Sequence, residues 1–244
     1  MEKKIRSHVA LPLNLIKEFE NDKNTVCVFD LLQKKSYFAN GTKVGVEKGY
    51  YSQQCELFLS SEIEGPFHDL ITKLKEMNHY YEKTNFLNNN RDVLERFFKY
   101  QFLRSKKVLE NTNKYSLAAI ALGSLSHESL IAIMSKNDSN ILSLIEGKLF
   151  ARMLVVKSTN KSLIDNSLGF YTVVESKKIK SFVVPISPKE AIYISSYNEK
   201  DLASHYFATD NEINILNKLC LITEKQIGNG FLIGKKFDNF ADIH

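Results

Sequence analysis

Eight polar residues of this chain are candidates to hold a metal, move a proton or bind an anion: His8, Glu56, Glu64, Gln101, Arg104, Asp165, Asn166 and Asn217. Arg104 makes the strongest demand. At about 100° per residue it shares one helical face of residues 93–108 with Leu94, Phe97, Phe98, Gln101, Ser105 and Val108. The opposite face carries Glu95, Arg96, Lys99, Lys106, Lys107 and Glu110. A guanidinium on the buried side needs an acidic or multiply hydrogen-bonded partner, because an unpaired charge in a core is very costly. A second helix, beginning near Ser52, has the apolar stripe Cys55, Leu59, Ile63, Phe67, Leu70 and Leu74. Glu56 lies on that stripe, and Glu62 and Glu64 flank it. A Glu–Arg pair there has two uses. It knits two helices together, or it lines a pocket in which the planar fork of Arg104 binds a phosphate or carboxylate.

His8 sits in an apolar context before Pro12. A lone His is most often a hydrogen-bonded structural residue, and with Glu56 and Glu64 it would make a metal site. Asp165–Asn166 follows the apolar pair Leu163–Ile164 and reads first as turn chemistry. Its sharper reading joins Asp165 to Glu175–Ser176–Lys177, in the D…ExK order of metal-dependent nucleases. There two carboxylates hold Mg²⁺ and the lysine positions or activates water. The helix that should follow is missing, because 178–184 reads as another strand. The HExxH, GxSxG, Walker A and GxGxxG motifs are absent, which weakens peptidase, hydrolase, NTPase and dehydrogenase readings. The glycines Gly41, Gly45 and Gly49 have the wrong spacing for a phosphate loop.

The elements that must position these residues read as follows. A short helix follows Pro12, then a strand pair spans 25–46, with strands at 25–30 and 35–38 and a short one at 43–46. The helical centre runs over 52–150. Pro66 kinks or restarts its first helix, 78–90 is an Asn-rich linking loop, and further helices occupy 115–135 and 139–150. The strand-rich part covers 151–195, with strands at 153–157, 163–164, 170–174, 181–184 and 191–194. A late helix spans 210–225 with Asp210 as its cap, and 231–233 is a final strand. Strands, helices, strands and a helix in that order predict an α+β fold rather than a doubly wound sheet.

The net charge of +5, from 33 basic and 28 acidic residues, permits contact with nucleic acid without demanding it. Cys27, Cys55 and Cys220 are far apart, which argues against a zinc ribbon or disulfide scaffold and suits a reducing cytosol. No secretory signal and no membrane span is expected; the apolar run 117–125 reads as a short buried helix segment.

Taken in order, the motifs resemble the bacterial domain-of-unknown-function family 4238. The shared pieces are His8, Pro12, Leu15 and Phe19, the TVCVFD strand, the Gly–Tyr–Tyr loop before Glu56, and Ile63–Glu64. Gln101-x-x-Arg104, Ser162-x-x-Asp165–Asn166, Pro185-x-Ser187–Pro188 and Asn217 follow. The Asp–Asn turn ends here in Ser167, where the family has Pro. The resemblance implies one continuous domain, 1–244, in which His8, Glu56, Glu64, Arg104, Asp165, Asn166 and Asn217 converge. It implies no reaction.

The leading expectation is a cytoplasmic prokaryotic or phage protein acting on nucleic acid, a nuclease-type effector in a phage-defence or counter-defence setting. Asp165 with Glu56 or Glu64 would hold Mg²⁺ or Mn²⁺, His8 would be general base or ligand, and Arg104 would meet the phosphate. The alternative is a non-catalytic module for a nucleotide, another small anion or a protein partner, with Arg104, Gln101, Asn166 and Asn217 supplying recognition. It leaves room for a homo-oligomer. A third reading makes the polar residues a buried structural network.

Overall fold

A computed structural model describes residues 6–8, 11–115, 125–135, 149–175, 178–196 and 204–235. Strand β1 (Arg6–His8) pairs antiparallel with β4 (Val46–Lys48), and helix α1 (Leu13–Glu18) follows Pro12. β2 (Thr25–Asp30) and β3 (Lys35–Asn40) form a hairpin. Its turn is closed by Asp30, whose Oδ1 accepts from Leu32 N and Gln33 N at 2.8 Å each. The expected strand at 43–46 is displaced: Gly41–Lys43 is a 3₁₀ turn, capped by the Asn40 side chain, and the strand starts at Val46.

Helix α2 (Gln53–Phe58) is capped by Ser52 and runs into a π-helical segment, Leu59–Glu64, before α3 (Gly65–Glu76). The apolar spacing Cys55, Leu59, Ile63, Phe67 steps by four each time, a drift of about 40° per step on a straight α-helix. A wider turn absorbs that drift. Gly65 permits it, since a Cβ there would lie 2.9 Å from Ser60 O. Pro66 sits in the first turn of α3, where its missing N–H is harmless.

The segment expected as a loop at 78–90 is instead helix α4 (Tyr80–Asn89). Tertiary hydrogen bonds override its polar composition. Asn88 Nδ2 donates to Ala151 O at 2.8 Å, and Asn88 Oδ1 accepts from Ala151 N at 3.1 Å. Thr84 Oγ1 donates to Ser204 O, and the buried Lys83 meets Glu190 at 3.2 Å.

Helix α5 (Arg91–Leu103) buries Leu94, Phe97, Phe98 and Gln101, the stripe its spacing predicts. It stops at Leu103, and Ser105 caps the next helix, α6 (Lys106–Tyr115), by accepting from Val108 N at 3.1 Å. The expected continuous helix over 93–108 is therefore two helices with Arg104 at the corner. Helix α7 (His127–Ser135) lies within the expected 115–135 helix; the apolar run 117–124 and most of the expected helix at 139–150 fall outside the described residues. Phe150 belongs to a strand, not to that helix.

The C-terminal half supplies β5 (Leu149–Val156), β6 (Asp165–Asn166), β7 (Tyr171–Glu175), β8 (Lys178–Ser187), β9 (Glu190–Ser196), β10 (His205–Ala208), α8 (Asp210–Ile227) and β11 (Phe231–Gly234). The expected strand at 163–164 shifts to Asp165–Asn166, and β10 was not expected at all. Thr209, not Asp210, caps α8, in a reciprocal capping box with Glu212. One sheet has the order β10-β5-β9-β8-β7, antiparallel except for β10 beside β5; the other has the order β3-β2-β11-β6, antiparallel throughout. The fold is α+β.

Alternation divides the core. Met153, Val155, Phe182, Val184, Ile192 and Ile194 pack toward α1, α3, α4 and α5, where Phe67 and Phe97 stack at 3.7 Å. Leu154, Tyr171, Val183 and Ala191 face the other way, toward Ile213, Leu216 and Cys220 of α8. A third cluster joins Tyr51, Cys55, Leu59 and Ile63 to Tyr100, Leu103, Leu130 and Ile131. Among the described residues no helix is long and apolar enough to cross a membrane.

Candidate functional site

The π segment ends on Glu64, and Glu64 answers Arg104: its Oε1 accepts from Arg104 Nη1 at 2.5 Å. Arg104 is 1% exposed, and its guanidinium lies 5.9 Å from the centre of the Tyr51 ring. Burial pushes the guanidinium toward the neutral form, and the Glu64 carboxylate outweighs it, leaving the pKa above its ordinary value. The arrangement is a buried ion pair between two helical elements.

Beside it, His127 donates from Nε2 to Ser105 O at 3.2 Å and accepts the Tyr50 hydroxyl at Nδ1. Burial lowers the His127 pKa, and burial with the Glu47 charge lifts Tyr50 to about 12. The proton therefore stays on Tyr50 and the imidazole is neutral at pH 7. Below the ordinary histidine pKa the unfolded chain takes up a proton that the fold refuses. Stability contributed at this position falls as pH drops from 7 to 5, by at most about 1.36 kcal/mol per pH unit. Urea unfolding of the wild type and His127→Gln across that range should show their stability difference narrowing toward pH 5; a difference that stays constant would refute a neutral His127.

The Asp165 locus adjoins this corner: Ser105 Oγ donates to Ile227 O, and Lys107 Nζ donates to Glu224 O at 3.1 Å. Asp165, Asn166, Ser167 and Glu224 are all fully buried. Glu224 accepts from Ser167 N at 3.0 Å, from Ser167 Oγ at 2.8 Å, from Gly230 N at 2.5 Å and from Phe231 N at 3.1 Å. Gly228 has room for no side chain, since its Cβ would stand 2.0 Å from that carboxylate. Asp165 Oδ1 accepts from Asn166 N at 2.8 Å, and its Oδ2 has no hydrogen-bond partner among the described residues. Burial first, then the Glu224 charge, raise the Asp165 pKa well above the ordinary range. Asn166 accepts from Leu168 N at 3.1 Å and donates to Phe170 O at 2.7 Å; Asn217 accepts from Ile164 N at 3.1 Å and donates to Ser162 O at 3.0 Å. These amides build the turn that the DNSLG sequence predicts.

The expected residues form two groups joined through Asn229, whose Oδ1 accepts from Lys106 N at 2.8 Å and whose N donates to Ser167 Oγ at 2.7 Å. Glu64 and Arg104 meet, Gln101 is buried on the same helix, and Glu56 has its Oε1 buried on α2. Asp165, Asn166 and Asn217 belong to the other locus. The His8 side chain and the Glu175–Ser176–Lys177 side chains lie outside the described residues. Among the described residues no three His, Cys, Asp or Glu side chains gather as a metal site.

One further place combines a cavity with a guanidinium that has no ion-pair partner among the described residues. Arg152 lies on β5 opposite Tyr193 of β9, and Tyr206 of β10 stands beside Leu154. The guanidinium carbon is 5.3 Å from the centre of the Tyr193 ring and 5.9 Å from that of Tyr206. Its Nε is buried without a hydrogen-bond partner, and no carboxylate lies within 4.0 Å of it among the described residues. These groups line a cavity of about 320 Å³, floored by Leu154, Val173, Leu216 and Leu219 and rimmed by Ile215 and Glu212. Tyr206 donates its hydroxyl to Glu212, which lowers the Glu212 pKa and keeps it ionised. Sequence reasoning missed Arg152 by starting the strand at Met153. The signal was the same as for Arg104: alternation puts Arg152 on the face of Leu154 and Val156, a charge among apolar side chains.

No protein-family model, no curated protein and no solved structure matches the chain.

Proposed function

We propose that this protein is a binding module for a small anionic ligand, held in the Arg152 cavity. The observation that carries the reading is a guanidinium fixed over two tyrosine rings, facing a cavity, with no carboxylate partner among the described residues. Such a group is pre-organised for an oxyanion. The cavity lies at the lower end of the range that holds small molecules. Arg104, by contrast, is already neutralised by Glu64, so anion recognition moves from Arg104 to Arg152. Three buried free thiols support a reducing, cytoplasmic setting.

The test is calorimetric titration of the chain with phenylbutyrate, octanoate, adenosine monophosphate and inorganic phosphate, repeated in Arg152→Gln. At least one anion should bind saturably and lose about tenfold or more in affinity in the variant. Equal binding by both proteins, or none by either, would exclude the cavity as an anion site.

A further inference from the structure

We infer that the Arg152 cavity selects a monocarboxylate with an apolar body over a nucleotide or other phosphate dianion; this rests on reading the cavity as an anion site. The charge inventory is the first argument. Arg152 is the one cation among the described lining residues, and Glu212 at the rim is an anion. Lys157, just past the end of β5, is engaged elsewhere, with its Nζ 3.5 Å from the centre of the Phe207 ring. A carboxylate is matched by one guanidinium. A dianion would leave one charge unmatched beside Glu212, and like charges in a half-closed site repel.

Shape is the second argument. The two tyrosine rings hold the guanidinium as a flat fork, which suits the two coplanar oxygens of a carboxylate. Among the described residues no glycine lines the cavity to let backbone N–H groups cradle a phosphate. The third argument is the floor. Leu154, Val173, Leu216 and Leu219 offer nothing to a ribose or a base edge, and they cover a hydrocarbon chain or a phenyl ring.

The experiment titrates the chain with phenylbutyrate, octanoate, the primary amides of both acids, adenosine monophosphate and inorganic phosphate. Arg152→Gln, Arg152→Lys and Glu212→Gln are run beside it. At least one carboxylate should bind about tenfold or more tighter than its own amide and than the phosphates, with Arg152→Lys intermediate between wild type and Arg152→Gln. Glu212→Gln keeps a hydrogen-bond acceptor at the rim and should narrow the gap between carboxylate and adenosine monophosphate by about threefold or more. Tighter, Arg152-dependent binding of adenosine monophosphate or phosphate overturns the monocarboxylate and leaves the anion module standing. An amide that binds as well as its acid also overturns it, by showing an apolar site. Binding that ignores Arg152 throughout overturns both.

Discussion

Glu64→Leu is expected to destabilise the fold by about 3–5 kcal/mol, more than Arg104→Met does, although Arg104 is the more buried partner. The asymmetry follows from where each charge is left. The side chain of Glu64 is 25% exposed and that of Arg104 is 1% exposed. Removing Arg104 leaves a carboxylate that water reaches. Removing Glu64 leaves a guanidinium beside the third core cluster without its carboxylate, with only neutral contacts such as Tyr51 against the cost of its desolvation. For a chain of this size the loss corresponds to about 6–20 °C in thermal midpoint. The double variant should recover much of the loss, because two apolar side chains replace the pair. A double-mutant cycle by urea unfolding measures the coupling. Additive single effects, or a Glu64→Leu protein within about 0.5 kcal/mol of wild type, would mean that no buried pair exists.

Asp165→Asn should act in the opposite direction and stabilise the protein at neutral pH, by about 1–3 kcal/mol. The folded Asp165 holds its proton to a pH well above the ordinary carboxylate pKa, chiefly through burial and then through the Glu224 charge. Between the two values the folded chain carries more bound proton than the unfolded one, so stability falls as pH rises through that window. Asparagine keeps the acceptor for Asn166 N and cannot ionise. The gain should therefore be absent at about pH 4 and grow toward about pH 7, where urea unfolding reads it. A pH-independent difference, or a loss that deepens toward neutrality, would contradict a protonated or strained Asp165. A carboxylate that serves a bound metal would show that second pattern when assayed with Mg²⁺ or Mn²⁺ present, because its ionised form would then be the useful one.

Much of this was legible in the sequence. The α5 stripe, the β2–β3 pair and the need for an acid against Arg104 all follow from periodicity and the energetics of buried charge. The identity of that acid did not follow. A straight helix puts Glu56 on the buried stripe, but the π segment re-aims the chain just before Glu64, and i→i+5 bonding has no simple residue signature. Helix α4 was hidden because its support comes from Ala151, Ser204 and Glu190, all distant in sequence. The break at Ser105 was hidden because a capping serine looks like any small residue on a helical face until its partners are known. Of the site, the turn role of Asp165–Asn166 was legible. Arg152 was not singled out, because its significance depends on Tyr206, whose strand was not expected, and on what fails to cover it.

The place of β11 has a consequence for synthesis. It is inserted between β2 and β6, pairing Phe231 with Asp30 and Gly234 with Cys27. On the ribosome, the β2–β3 hairpin emerges early, and its inner edge has no partner until about 200 further residues have been made. At about 5–20 residues per second that wait is on the order of 10–40 s. During it, the apolar strand TVCVFD offers open N–H and C=O groups to any neighbouring chain. Slower translation lengthens the interval in which that edge is open, so it should raise the aggregated fraction of newly made chains.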